Sequence, residues 1–176
     1  MFAKIMLISA VILSPLFLSF AQQSYVGVKT CVMCHKSEKQ GEQLSIWEDS
    51  QHSKAYETLL TEKADKIAKE KGFETKASET AECLKCHTSG YNVDASLLGK
   101  KFKIEQGVQC ETCHGPGSDY KSKKIMKDRE KSVANGLNLY ENPLDLCITC
   151  HNAESPTMVD FNFAESWKEI KHRKPE

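Results

Sequence analysis

The chain has 176 residues, in which 24 basic and 24 acidic side chains balance and 40% of the residues are hydrophobic. The charge balance excludes a basic protein that coats nucleic acid and a disordered protein with blocks of like charge. The length allows about one domain. The unusual features are the 8 cysteines and the 6 histidines.

The first 21 residues have the layout of a secretory signal peptide. A basic residue, Lys4, precedes an apolar run over residues 5 to 20, and the segment ends in the small residue Ala21. An uncleaved anchor helix is the alternative, but the run contains Pro15 and is shorter than the roughly 20 residues that a bilayer requires. We therefore predict a signal over 1–21, cleaved on export, and a single mature domain over 22–176. That domain would be periplasmic, without a membrane span, and its formal charge would be −1.

All eight cysteines fall in four copies of one motif, Cys-x-x-Cys-His, with none left over. In chain order the motifs are Cys31/Cys34/His35 (first), Cys83/Cys86/His87 (second), Cys110/Cys113/His114 (third) and Cys147/Cys150/His151 (fourth). Thiol redox centres and zinc sites also use paired cysteines, but neither requires a histidine directly after each pair. Covalent attachment of haem c does, because two thiols bond the vinyl groups and the imidazole binds the iron.

The motifs therefore predict four haem c groups, with His35, His87, His114 and His151 as proximal iron ligands. Zinc or disulfides in a non-haem binding module are the remote alternative. Four oxidised haems would add a formal charge of about −4, so the holoprotein would be acidic although its sequence is neutral.

Two histidines, His52 and His172, remain as candidates for the opposite face of the irons. A second imidazole would give a low-spin, low-potential haem suited to electron transfer. Two histidines cannot serve four irons, so at least two irons take another donor or none. Met126 is a candidate because a thioether is the other common distal ligand, whereas Met33 lies inside the first motif and Met158 in a loop.

The segments between the motifs favour short helices. An apolar face predicts a helix over 53–71 that closes at Gly72, and a second helix is expected over 121–135, closing at Gly136. Phe163, Trp167 and Ile170 suggest a third helix that delivers His172. No long strand pattern is present. The predicted fold is mainly α and loop-rich, and with about 39 residues per haem the haems would form much of the core.

Two strings are more specific than the motifs themselves. They are Trp47-Glu48-Asp49-Ser50-Gln51-His52-Ser53-Lys54-Ala55 and Gly107-Val108-Gln109-Cys110-Glu111-Thr112-Cys113-His114-Gly115-Pro116-Gly117. With the order of the four motifs and the closing helix, they resemble the tetrahaem cytochrome c-554 family over residues 25 to 176.

The resemblance implies a monomeric electron carrier with haems in stacked pairs, three of them bis-histidine and one five-coordinate. The open iron would be the one on His87, with His52 and His172 as distal ligands. The best-known member accepts electrons from hydroxylamine oxidoreductase and passes them toward quinone or another cytochrome. One departure concerns the distal histidine that the family places about ten residues after the third motif. That position is Lys124 here, and Met126 follows it.

The sequence predicts an electron-transfer protein acting between redox partners such as c-type cytochromes or a quinol-linked oxidoreductase, with no role in nucleic-acid binding. The alternative is a reductase of nitric oxide, nitrite or hydroxylamine at a five-coordinate haem. No catalytic side chain is assigned, and the lysine-ligated motif of multihaem nitrite reductases is absent from the sequence.

Overall fold

The computed structural model describes residues 22–158 and 160–172. The predicted secretory signal over 1–21 lies outside the described residues, as does its cleavage point. None of the helices in the described part has the length and apolar content needed to cross a membrane.

Within these ranges, the protein is built from short helices joined by loops and single 3-10 turns. The helices are α1 (Val28–Cys31), α2 (Gln43–Asp49), α3 (Ala55–Leu59), α4 (Glu62–Glu70), α5 (Ala81–His87), α6 (Cys110–His114), α7 (Lys123–Met126), α8 (Arg129–Ala134), α9 (Pro143–Cys147) and α10 (Phe163–Ile170). Over the described residues, extended pairing is limited to one isolated bridge between Tyr25 and Leu98. The predicted mainly α class is confirmed.

The single helix predicted over 53–71 is wrong, because the chain forms α3 and α4 with a break between them. Thr61 adopts an extended conformation at the break, and its side-chain oxygen accepts a hydrogen bond from the amide of Ala64 at 3.2 Å. A threonine in this position caps a new helix and is unfavourable inside a continuous one. The predicted end is confirmed, since α4 stops at Glu70 and Gly72 follows with a φ of 86°.

The helix predicted over 121–135 is interrupted in the same way. Asp128 separates α7 from α8, and its carboxylate accepts a hydrogen bond from the amide of Lys131 at 3.0 Å. Because an aspartate cap satisfies the free amides of a first turn, it starts α8 where the periodicity alone continues the helix. The predicted close at Gly136 is confirmed.

The third predicted helix is α10, and it is confirmed. The side chain of Asn162 caps its first turn by accepting a hydrogen bond from the amide of Glu165 at 3.3 Å. The helix ends at Ile170, and His172 follows directly after the extended residue Lys171. The helix therefore fixes where the last described histidine lies.

The apolar core is small for a chain of this length. One cluster consists of Leu59, Ala68 and Ala77, which brings α3 and α4 against α5. A second region joins the N-terminal segment to the loop before the third motif, where Tyr25 meets Phe102 edge-on with ring centroids 5.6 Å apart. The second motif borders the first cluster, since Cys83 and Leu84 pack against it. The cysteines of all four motifs are half-buried with the exception of the exposed Cys34.

Candidate haem-binding site

Each motif folds as a helical turn, which places its three functional side chains on one side. The third motif is α6 itself, the second ends α5, and the first and fourth continue from α1 and α9. The amide of His35 donates to the carbonyl of Cys31 at 3.1 Å, and that of His151 to Cys147 at 2.9 Å. Because residues i, i+3 and i+4 share a helix face, both thiols and the imidazole can address one ligand.

Cys34 departs from the other attachment cysteines. Cys34 is exposed, whereas the other seven are half-buried. Helix α1 ends at Cys31 and the turn that follows faces solvent, with the adjacent Met33 62% exposed. Its backbone keeps the helical turn, since the amide of Cys34 donates to the carbonyl of Cys31 at 3.2 Å. The role of Cys34 in attachment stays a prediction, and a haem held there would have one bonded edge near solvent.

All eight thiols are free of disulfides, and several lie next to a thiol of another motif. A hydrogen bond between the Cys31 and Cys110 thiols raises the pKa of Cys31, which joins the first motif to the third. Burial, together with the neighbouring Cys150, raises the pKa of Cys86 to about 11. Burial and the neighbouring Cys147 raise the pKa of Cys113 to about 11. The four motifs therefore lie near one another in the spatial order first, third, fourth, second.

An ion pair supports the contact between the second and fourth motifs. Lys85 lies between the two cysteines of the second motif, and Glu154 follows the fourth motif. The Lys85 ammonium lies 2.7 Å from the Glu154 carboxylate. Both groups are exposed, so the pair marks the proximity of the two segments more than it stabilises them.

The two histidines outside the motifs each face a motif histidine. The ring centroids of His52 and His151 are 6.1 Å apart with planes inclined by 51°. Those of His114 and His172 are 5.8 Å apart with planes inclined by 45°. Burial, and secondly the facing imidazole, lowers the pKa of both His52 and His114. The neutral imidazole is the form that binds a metal.

These separations fit an iron held between two imidazoles. A metal–nitrogen bond of about 2 Å plus about 1.1 Å from the nitrogen to the ring centre, counted on both sides, gives about 6 Å. No three His, Cys, Asp or Glu side chains converge as a bare metal site within 22–158 and 160–172. The arrangement suits haem iron, in which the porphyrin supplies four of the ligands.

His87 and Met126 have different surroundings. The Nδ1 atom of His87 lies 2.8 Å from the carbonyl oxygen of Ala55, which leaves Nε2 as the nitrogen available to an iron. The Met126 sulfur is 4.0 Å from the hydroxyl of Ser132, in the corner between α7 and α8. Among the described residues, neither His35 nor His87 faces a second imidazole at the separations seen in the two histidine pairs.

The two specific strings contact each other and hold His52. The indole nitrogen of Trp47 donates to the carbonyl of Val108 at 2.8 Å, and the amide of Val108 donates to the carbonyl of His52 at 2.9 Å. The segment that carries His52 is thereby fixed to the residues that precede the third motif.

A buried carboxylate inside the third motif was missed by the sequence reasoning. Glu111 is 2% exposed and accepts hydrogen bonds from the amides of Val26, Gly27 and Gly117 at 2.8, 2.8 and 2.7 Å. It ties the segment leading into the first motif to the loop after the third. A glutamate between two cysteines gives no periodicity signal in the sequence.

A helical fold with haem-attachment motifs on helical turns and imidazoles facing across an iron-sized gap defines a c-type cytochrome. The family described as cytochrome c554 and c-prime matches residues 30–115. Cytochrome c-554 of Nitrosomonas europaea is 31% identical over 128 residues, which are 67% of this chain and 52% of the relative. The chain belongs to the cytochrome c-554 family and is a covalent haem protein.

The chain spans about half the length of the curated relative it matches. No solved structure matches it significantly.

Proposed function

We propose that this protein is a periplasmic tetrahaem cytochrome that relays electrons between redox proteins. The observation that carries the proposal is the proximity of the four motifs, in which cysteines of one motif lie near cysteines of the next. Each cysteine is an attachment point, so a haem edge begins at its sulfur, and neighbouring sulfurs bring neighbouring haem edges together. Electron transfer slows steeply as the separation between edges grows, so this order favours a relay through the first, third, fourth and second motifs.

Haem iron supplies one-electron chemistry by alternating between its ferric and ferrous states. The chain supplies the ligands and the spacing. We assign His35, His87, His114 and His151 as proximal ligands, with His52 opposite His151 and His172 opposite His114. The two facing imidazole pairs support this assignment. The family resemblance implies a five-coordinate iron on His87, and we propose Met126 for the iron on His35 because that iron alone is then left without an assigned distal ligand.

The proximity of the first motif to the third, and of the second to the fourth, also supports haems in two close pairs. Such pairs would fill the space that the small apolar core leaves between the loops. Redox partners in this arrangement would be c-type cytochromes or a quinol-linked oxidoreductase, meeting an acidic holoprotein.

The exposure of Cys34 supports the first motif as one end of the relay. Its thiol would carry one bonded edge of the first haem at the surface, where a redox partner can approach it. The remaining attachment cysteines are half-buried, so the other haems would be less accessible at their bonded edges.

Three measurements on protein matured in a periplasm test the proposal. A haemochrome assay should return four covalent haems per chain, and electron paramagnetic resonance should count three low-spin irons and one high-spin iron. Stopped-flow mixing with a soluble c-type cytochrome should show rapid electron exchange. Fewer than four haems, or no exchange with any such partner, would contradict the proposal.

The environment of His87 supports a second candidate function, reduction of a small molecule such as nitric oxide, nitrite or hydroxylamine. Its Nδ1 is engaged by Ala55, and no facing imidazole is found among the described residues. An iron held from one side leaves its other position for a ligand. Binding of carbon monoxide or nitric oxide to one iron, with turnover, would support this activity, whereas binding without turnover would leave the relay as the function.

A further inference from the structure

One short loop contacts ligands that belong to two different motifs. Residues 52–55 carry His52, which faces His151 of the fourth motif at 6.1 Å between ring centroids. The carbonyl of Ala55, at the other end of the same loop, lies 2.8 Å from Nδ1 of His87 in the second motif. The loop thus offers a distal imidazole to one iron and a hydrogen-bond acceptor to the proximal imidazole of another.

The loop rests on the backbone of Gly107, just before the third motif. A β-carbon added at Gly107 would lie 2.6 Å from the carbonyl oxygen of His52, 3.2 Å from the amide nitrogen of Ala55 and 3.2 Å from the carbonyl oxygen of Ser53. These atoms are backbone atoms, so they cannot rotate away as a flexible side chain can. The φ of 68° at Gly107 is also a conformation that side-chain-bearing residues rarely adopt.

Two hydrogen bonds hold the loop in this position. The amide of Val108 donates to the carbonyl of His52 at 2.9 Å, and the Trp47 indole, one turn upstream, donates to the carbonyl of Val108 at 2.8 Å. Gly107 itself is anchored, because its carbonyl accepts a hydrogen bond from the amide of Ser89 at 2.9 Å. The backbone of Gly107, on which the loop rests, is therefore held in place just before the third motif.

We infer that Gly107 is a positioning residue that sets, through the 52–55 loop, the ligation of the iron on His151 and the imidazole orientation at the iron on His87. The inference rests on the proposed ligand roles of His52, His151 and His87. A partner that accepts the free N–H of an iron-binding imidazole fixes the ring and raises its basicity, and this tunes the metal. A single displacement of the loop would consequently alter two haems of the proposed relay.

The test compares three variants of the matured holoprotein, Gly107→Ala, His52→Ala and Gly72→Ala. Gly72 is a matched control, because it also has a positive φ of 86° but a β-carbon there would meet nothing within 4 Å. Spin states are counted by electron paramagnetic resonance, and potentials are measured by spectroelectrochemistry, both well below the unfolding temperature.

Gly107→Ala should convert one low-spin iron to high spin and also shift upward the potential of the haem that is already high-spin. His52→Ala should give only the spin conversion, and Gly72→Ala should match the wild type. A Gly107→Ala protein indistinguishable from Gly72→Ala would overturn the inference if His52→Ala still loses a low-spin iron. If His52→Ala changes nothing, the proposed ligand assignment is wrong instead.

If Gly107→Ala yields no folded holoprotein, Trp47→Phe decides. This change keeps an aromatic ring but removes the bond to Val108, so part of the iron on His151 should become high-spin. An unchanged spin count in Trp47→Phe would overturn the inference in that case.

Discussion

The imidazole of His172, just beyond α10, faces that of His114 in α6 with ring centroids 5.8 Å apart. Replacing His172 by alanine should therefore convert one low-spin iron to high spin, because the iron on His114 loses its second nitrogen ligand. Electron paramagnetic resonance of the oxidised protein measures the change. Lys171→Ala, at the exposed neighbouring position, serves as the control and should leave all spin states unaltered. A His172→Ala spectrum identical to the control would remove His172 from the ligand set.

Met126 can be tested separately, because leucine preserves its packing but cannot bind iron. We expect Met126→Leu to turn one further low-spin iron, that on His35, into a high-spin iron, since the thioether is lost. Visible and paramagnetic resonance spectra report the conversion, and the exposed Met158→Leu is the control. Unchanged spectra would assign the Met126 sulfur to packing against Ser132.

Glu111 should be important for stability. A glutamine at this position keeps one oxygen but directs an amide toward backbone N–H donors, so at least one of the three hydrogen bonds is lost. Leaving a buried donor unpaired costs on the order of 2 kcal/mol in the free energy of unfolding. Chemical denaturation of Glu111→Gln should show a loss of this size, and the exposed Glu105→Gln should show none. Equal stability of the two variants would be incompatible with this role for Glu111.

The buried hydroxyl of Tyr120 should make the free energy of unfolding depend on pH in the alkaline range. Burial raises the pKa of Tyr120 above its ordinary value of 10.0, while its hydroxyl donates to the Gly115 carbonyl at 2.7 Å. The folded state therefore holds this proton more tightly than the unfolded state. Its contribution to stability is complete below about pH 10 and declines as the pH rises beyond that value.

The variant Tyr120→Phe lacks both the hydroxyl bond and the titration. It should be less stable than the wild type by about 1 kcal/mol at neutral pH, and the difference should shrink above about pH 10. Urea unfolding at a series of pH values measures both effects, with the exposed Tyr140→Phe as reference. A constant difference across the series would show that Tyr120 does not contribute to the pH dependence.

Local chemistry made part of the structure predictable. Each motif specifies its own helical turn, and α10 and the ends of α4 and α8 follow from apolar periodicity and terminal glycines. The breaks at Thr61 and Asp128 were missed because the apolar pattern runs through them, although both residues are good caps.

The relationships between distant segments were not predictable from the sequence. His52 and His172 could be proposed as ligands by counting histidines, but which motif each one faces depends on contacts between segments far apart in the chain. The exposure of Cys34 has the same origin, since four identical motifs do not reveal which one lies at the surface. The 52–55 loop contacts Gly107 through backbone atoms, and the Glu111 carboxylate binds backbone amides. Neither contact depends on the side chains of its partner residues, so neither leaves a pattern in the sequence.

The crossed order of the motif contacts has a consequence for how the protein is assembled. The first motif meets the third and the second meets the fourth, as the neighbouring thiols of Cys31 with Cys110 and of Cys86 with Cys150 record. An N-terminal fragment ending before the third motif contains neither contact, although it contains the apolar cluster of Leu59, Ala68 and Ala77. Each of these contacts also closes a long loop at a cost in chain entropy. We therefore expect both contacts to form only after the third and fourth motifs have been synthesised, and a chain truncated before the third motif to be more sensitive to proteolysis than the full chain.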